Sequence, residues 1–430
     1  MTSTPTPGSA SAQGQVSRYV IVGAGPAGVV AAETLRRADP ASDVVLVNGE
    51  KDPPYARMAI PYVLSAKINP EGTHLRQAAD HFERQGIRLV AGRAQALDPA
   101  ARTVRLQDGS TLPYDRLLIA TGSHPSLEKV PGIDLPGVHT CWTLDDVRAI
   151  VDSIKPGTRV VQMGAGFVGC IIMEGLVSRG ADLTILIRSG LMVSRMINPI
   201  AGDMIRRWCE AKGVRIMGKT QTARIDRDGD ALAVTLTTGE RLPADVYLSA
   251  VGVKPNLDWL DGSGIAIGNG ITVDARMQTN LPGVYAAGDV ADSVDCVTGA
   301  RQVNAIQPNA VEQGRIAALN MAGTAAASRG SLAFNVLDTL GLISSSFGAW
   351  NGVPGGEAVE FVDRDHWRYI RLEFEGDRLV GANLVGFTDH LGALRGLIEG
   401  KARLGKWKER LTENPTQIMA AYLATVQAAA

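Results

Sequence analysis

The sequence predicts an α/β fold: two Rossmann-like (three-layer ββα) units and a smaller α+β C-terminal domain. Three observations carry that expectation. A glycine turn stands between a short apolar run and a helical stretch at Gly23–Gly28, and the arrangement returns at Gly164–Gly169. Each turn is followed by a polar hairpin excursion and then an apolar run that ends on glycine, at Gly122 and at Gly252. Beyond residue 331 the pattern changes to alternating strands followed by helices.

Tyr19-Val20-Ile21-Val22 reads as a buried parallel strand, because it is apolar on both faces. It runs into Gly23-Ala24-Gly25-Pro26-Ala27-Gly28, then a helix over Val29–Arg37 and a strand over Asp43–Val47. In that context G-x-G-x-x-G marks a dinucleotide site. Gly23 permits the tight turn, Gly25 lets a pyrophosphate approach the backbone, and Gly28 lets the helix close on the strand. The helix N-terminus adds free N–H groups and partial positive charge. Glu50 falls about 20 residues on, where an acid holds a ribose hydroxyl. Asn48 is a neutral alternative.

Prolines make Lys51–Tyr62 a loop, and residues 74–85 look helical. Arg102–Leu106 and Thr111–Pro113 read as strands about an Asp108-Gly109 turn. Leu117–Ala120 is a buried strand ending at Thr121-Gly122. The second copy runs from the strand Arg159–Met163 through Gly164-Ala165-Gly166-Phe167-Val168-Gly169, a helix to Arg179 and the strand Leu183–Ile187. Ala231–Leu236 repeats the excursion, and Tyr247–Gly252 repeats the ending. Val284–Ala287 leads to Gly288-Asp289, with a helix at Pro308–Met321. Residues 323–331 have linker composition. Strand patterns follow at Tyr369–Phe374 and Leu379–Leu384, then helical ones at 390–411 and 415–427.

The chain has 430 residues, with 43 Lys and Arg against 44 Asp and Glu, so its charge points to neither a nucleic acid nor a membrane surface as partner. No apolar run reaches membrane-spanning length. Residues 1–17 have the composition of a disordered tail rather than a signal peptide, which makes a cytoplasmic location the simplest expectation. The four cysteines form no C-x-x-C or C-x4-C pair, so neither a metal site nor a local redox disulfide is indicated.

These motifs, in this order over residues 18–322, resemble the FAD-dependent pyridine nucleotide–disulfide reductase superfamily. The resemblance implies FAD on the first unit (18–140 with 276–322) and a nicotinamide nucleotide on the second (141–275), with 332–430 as an interface domain. It places Gly23, Gly25, Pro26, Ala27, Gly28, Asn48, Glu50, Met58, Ala94, Ala120, Thr121 and Gly122 beside FAD. It gives Asp289, after Gly288, the flavin ribityl chain, and aims the helix at Pro308 toward the flavin pyrimidine. Arg57 sits where a P-Y-x-R subset keeps an arginine near the cofactor, suited to a phosphate. On the second unit it assigns Gly164, Gly166, Phe167, Val168, Gly169, Ile171, Ile187, Arg188 and Gly252 to the nicotinamide nucleotide.

The departures narrow the chemistry. Ile60-Pro61-Tyr62 matches a loop whose family cysteine falls at Met58, and a thioether gives no thiolate. Ile171 replaces a frequent glutamate near the nicotinamide, and Ile187 replaces the acid that selects NAD. Arg188 could take a 2′-phosphate, which would suit NADP(H), but it stands without a basic cluster, so NAD(H) is favoured without excluding NADP(H). Residues 332–430 resemble the FAD subunits of multi-subunit oxidoreductases such as tungsten-containing aldehyde oxidoreductase or phenylglyoxylate dehydrogenase. Lys401, Arg403, Lys406, Lys408 and Arg410 give that domain a basic segment, read either as a solvated face or as a docking surface for an iron–sulfur protein. The expected function is electron transfer between NAD(P)(H) and an iron–sulfur subunit or ferredoxin-like protein, with no catalytic acid or base required. The alternatives are a free-standing ferredoxin or rubredoxin reductase, an NADH oxidase, and a non-catalytic NAD-responsive flavoprotein.

Overall fold

In the computed structural model, residues 16–429 are described. The tail expected over 1–17 therefore lies outside the described residues up to position 15. The first unit is built on five parallel strands in the order Val284–Ala286, Arg116–Ile119, Arg18–Val22, Asp43–Asn48, Ile87–Ala91. Its centre is dry: Val20, Ile21, Val44, Val45, Leu46, Leu117, Leu118 and Ile119 are fully buried. Burial on both faces explains why these runs do not alternate. Helix Pro26–Ala38 makes the first crossover, and helix Gln307–Met321 packs beside it. Gly314 sets that approach, since a Cβ there would stand 2.3 Å from the Ala27 carbonyl oxygen. A three-stranded antiparallel meander (Ala94–Asp98, Thr103–Leu106, Thr111–Pro113) forms the third layer.

The second unit repeats the plan, with parallel strands ordered Arg215–Gly218, Asp182–Ile187, Arg159–Met163, Val246–Ser249, Val138–His139. Helix Phe167–Ser178 follows its glycine turn, and Thr222–Asp228, Ala231–Leu236 and Arg241–Ala244 form its meander. Val138–His139, drawn from the segment after the first unit, completes the sheet ahead of residue 141.

The C-terminal region is a five-stranded antiparallel sheet ordered Phe334–Thr339, Leu342–Gly348, Arg378–Val385, Arg368–Glu375, Glu357–Asp363, covered by helices. Three of these strands escape the sequence reading. Leu342–Gly348 carries three buried serines, Ser344–Ser346, where an apolar run would be expected, and Glu357–Asp363 is a charged, mostly exposed edge. Two helical expectations shrink. Residues 74–85 hold only His81–Arg84, because Leu75 bonds back to Pro54 and Arg76 forks onto Glu33 at 2.7 Å through both nitrogens. The stretch 390–411 is two helices, Leu391–Glu399 and Lys406–Glu413, broken where Lys401 and Gly405 take φ of 49° and 53°. The domain is braced on the second unit: Asn383 Oδ1 accepts from Asn198 N at 2.9 Å, and Trp208 Nε1 donates to the Leu340 carbonyl at 3.0 Å.

Candidate functional site

The first turn is fixed by steric necessity. Gly23 has φ of 111°, and a Cβ there would meet the Ala120 carbonyl oxygen at 2.2 Å. That contact seats the turn on the carboxyl end of the neighbouring strand, beside Thr121-Gly122. Pro26 fills the first helical turn, where its missing N–H costs nothing. A Cβ on Gly25 would meet nothing within 4 Å, so the backbone opens there onto free space of the kind a pyrophosphate fills.

The wall of this cleft is a chain of hydrogen bonds. The Glu50 carboxylate accepts from Arg57 and, at 2.6 Å, from the Tyr55 hydroxyl. Arg57 donates to the Trp142 carbonyl at 2.8 Å and lies over the indole. Trp142 Nε1 donates to the Ser123 carbonyl at 2.8 Å, and Ser123 Oγ donates to Asp289 Oδ2 at 2.9 Å. Glu50, Arg57 and Asp289 are thus linked through residues the sequence reading passed over. Burial pushes the Asp289 carboxyl above its ordinary range, opposed by the Ser123 bond and the Arg57 charge. Asp289 keeps some open surface, so the desolvation is that of a cleft floor with acceptor capacity left for a hydroxyl.

The remaining expected residues have clear places. Gly288 N donates to Gln313 Oε1 at 2.8 Å, locking the Gly-Asp turn to the helix that carries Pro308. Asn48 spends its amide on the Asp52 carbonyl at 2.8 Å and so shapes the loop. Ala94 begins the meander, two residues beyond Gly92, which lies against Gly49. Met58 is 61% exposed. Arg148 closes the loop from helix Leu144–Ser153, holding Asp52 at 2.6 and 2.9 Å. All four cysteines are free; burial pushes the Cys141 and Cys209 thiols up to about 12 and Cys296 to about 11. Cys170 is raised further by the same cause.

The second turn copies the first in backbone and differs in lining. Gly164 has φ of 104° with the Ala250 carbonyl oxygen 2.3 Å from a built Cβ, and Gly166 is open like Gly25. Buried Gln162 stitches the turn together, donating to the Gly164 and Gly169 carbonyls at 2.9 and 3.0 Å. Phe167, Val168 and Ile171 line the helix start half-buried, Ile187 is buried, and Arg188 is exposed beyond it.

The two turns are tied together. Ser126 N donates to the Gly252 carbonyl at 2.8 Å, and Asn256 N to the Gly122 carbonyl at 2.9 Å. Asn256 Nδ2 donates to the Thr121 carbonyl at 2.8 Å, and its Oδ1 meets His124 Nδ1 at 2.7 Å. Asn256 and His124 carry no motif, and their pairing arises from the antiparallel crossing of Ser123–Pro125 and Val253–Pro255. Two phosphate-ready turns, one beside a buried carboxylate, suit a resident dinucleotide facing an exchangeable one.

Comparison with known proteins agrees. Residues 17–314 match the family Pyridine nucleotide-disulphide oxidoreductase. The chain is 34% identical over 406 residues to the NADH-dependent phenylglyoxylate dehydrogenase subunit epsilon of Aromatoleum evansii, covering 94% of this chain and 96% of the relative. It is 33% identical to the ferredoxin–NAD(+) reductase component of the biphenyl dioxygenase system of Paraburkholderia xenovorans (strain LB400), over 64% of this chain and 68% of that one. Its fold superposes on the ferredoxin reductase for the CYP199A2 system from Rhodopseudomonas palustris with a TM-score of 0.80 and 25% identity, covering 86% of this chain and 91% of that one. The chain therefore belongs to the pyridine nucleotide-disulphide oxidoreductase family, as an FAD-dependent oxidoreductase of NAD(P)(H) that acts in electron transfer.

Proposed function

We propose that this chain is the NAD-linked flavin subunit of a larger cytoplasmic oxidoreductase, of the phenylglyoxylate dehydrogenase or tungsten-containing aldehyde oxidoreductase kind, and exchanges electrons with an iron–sulfur partner. The observation that carries the reading is the tie between the two turns. Thr121-Gly122 and Gly252–Asn256 are bonded edge to edge, which supports a reading in which ligands on the two turns face each other. Bound FAD supplies hydride exchange with a nicotinamide and one-electron exchange with a metal centre.

The chain's own part is binding and orientation. Gly23, Gly25, Pro26, Ala27 and Gly28 present the first turn, with Ala120 and Thr121 as its floor. Glu50 would take a ribose hydroxyl while held by Arg57 and Tyr55, and Asp289 the ribityl hydroxyls. The Pro308 helix would direct its N-terminal amides toward the pyrimidine edge. Burial keeps the four thiols protonated at neutral pH, and Met58 offers no thiolate, so the residues favour a metal-centred acceptor over a disulfide.

Full-length likeness to a dehydrogenase subunit, C-terminal domain included, favours a complex over a free-standing ferredoxin reductase or NADH oxidase. Within the basic segment Lys401, Arg403 and Lys406 are exposed, whereas Lys408 is taken by Glu357 at 3.0 Å and Arg410 stacks on Trp407. Anaerobic stopped flow tests the reading. Reversing Arg403 and Lys406 to Glu should slow electron transfer to an acidic ferredoxin several-fold at low salt while leaving flavin reduction by NADH unchanged. A stoichiometric flavin that NADH fails to reduce would favour the non-catalytic alternative.

A further inference from the structure

A cavity of about 130 Å³ lies in the C-terminal domain. It sits between the start of strand Arg368–Glu375, the end of strand Arg378–Val385 and the first residues of helices Leu391–Glu399 and Ile418–Ala429. Its floor is apolar, made by the buried Ile370, Leu384 and Ile418. Half-buried Phe387 forms a side wall, with the Arg368 guanidinium over its ring at 4.3 Å. That stacking keeps the planar fork beside the apolar floor. Asp389 and His390 stand at the mouth, both exposed. Arg368, Asp389 and His390 make no ion pair or side-chain hydrogen bond among the described residues. The charges around them are already spent: Glu373 holds Arg371 at 2.6 Å, and His366 meets Asp363 at 2.8 Å. The cavity thus joins an apolar floor to one unspent cation and one unspent anion. It is much smaller than the roughly 300–1,000 Å³ of sites for drug-sized ligands, so its floor takes a branched alkyl group or a single ring.

We propose that this cavity is an effector site for a free α-amino acid with an apolar side chain, of the leucine kind. The ligand carboxylate meets the Arg368 fork, which bonds such a group bidentately, with His390 as a further donor. The ligand ammonium meets Asp389. The side chain leaves water for the floor, which selects an apolar group over a polar one. A zwitterion matches the lining because it leaves neither charge at the mouth unpaired. Leu384 points to the helix-covered face of the sheet, opposite to Asn383, which braces the domain on the second unit. The occupant is therefore separate from both glycine turns, and the site stands independently of what they bind.

Calorimetric titration of the FAD-loaded protein with L-leucine, 4-methylpentanoate and 3-methylbutylamine tests it. The three probes share one branched alkyl group and carry both charges, the carboxylate alone and the ammonium alone. Leucine should bind about tenfold tighter or more than either of the others. Arg368→Gln should remove its advantage over 3-methylbutylamine, and Asp389→Asn its advantage over 4-methylpentanoate. Both side chains are exposed, so both variants should fold and accept electrons from NADH at the parental rate. Saturating leucine should raise the melting temperature of the parent and leave that of the double variant unchanged. No saturable heat from leucine at millimolar concentration, or a preference that survives both substitutions, would overturn the site. Equal binding of leucine and 4-methylpentanoate by the parent would overturn the amino-acid assignment, because Asp389 would then contribute nothing.

Discussion

The two glycine turns share a backbone and differ in what surrounds it. Around Gly23 the chain builds a continuous polar wall from Glu50 through Arg57, Trp142 and Ser123 to Asp289, with the loop strapped down by Arg148. Around Gly164 the turn is stitched by Gln162, the helix start is lined by the half-buried Phe167, Val168 and Ile171 and by buried Ile187, and Glu128 accepts from the Ser249 hydroxyl at the end of the neighbouring strand. The difference separates retention from exchange. On the proposed reading, many preorganised bonds retain a cofactor at the first turn, and the second turn, with fewer of them, admits a substrate that comes and goes.

Alanine at paired glycines breaks the comparison most severely. Gly164→Ala should cost about 3 kcal/mol or more, because its Cβ collides with the Ala250 carbonyl and its φ is left-handed. Gly166→Ala has φ of −80° and open space, so the fold should survive. The added methyl then stands where the pyrophosphate must approach, and KM for NADH should rise on the order of tenfold with FAD content unchanged. Loss of FAD in Gly166→Ala would show that the turns are not independent.

Asp289→Asn sharpens the retention side. Losing a charge-assisted bond should weaken FAD binding by roughly 1.5–3 kcal/mol, measured by apoprotein reconstitution. The apoprotein should respond in the opposite sense. Burial raises the Asp289 pKa in the folded state, so its contribution to stability is full below the unfolded value and is lost as pH rises through the folded one. Asparagine has no such loss, and the apo variant should melt above the parent at pH 7, with the gap closing as pH falls toward 3.8. A variant that melts below the parent at every pH would make Asp289 a structural residue.

The smallest effect belongs to the strap. Arg148→Gln removes a partly exposed ion pair worth about 0.5–1 kcal/mol. FAD should dissociate about two- to fivefold faster, a factor equivalent to that energy, while KM for NADH stays constant. An equal change at both sites would place the strap in the general fold.

The fold was legible where backbone sterics are local. Glycine at positions 23 and 164 is demanded by a contact its neighbours create, and uninterrupted apolar strands announce a sheet covered on both faces. Glu50 and Asp289 stand out in the sequence because fixed spacing or an adjacent glycine marks them, and the structure sets both in one hydrogen-bonded wall. Trp142, Ser123, Gln313 and Asn256 were missed because each acts on a residue far away in sequence, and their types are common in loops. The C-terminal sheet was half hidden for a related reason: Ser344–Ser346 are buried in the sheet despite their polarity.

The crossing between the two units has a mechanical consequence. Ser123–Pro125 and Val253–Pro255 run in opposite directions and are bonded along their length, with prolines at both outer ends. Two separate tethers would allow the lobes to swing like a gate. Two tethers paired into one ribbon resist torsion and shear together, and proline stiffens each end. The spacing of the lobes is then carried by a hydrogen-bonded ribbon of the chain itself, before either nucleotide arrives.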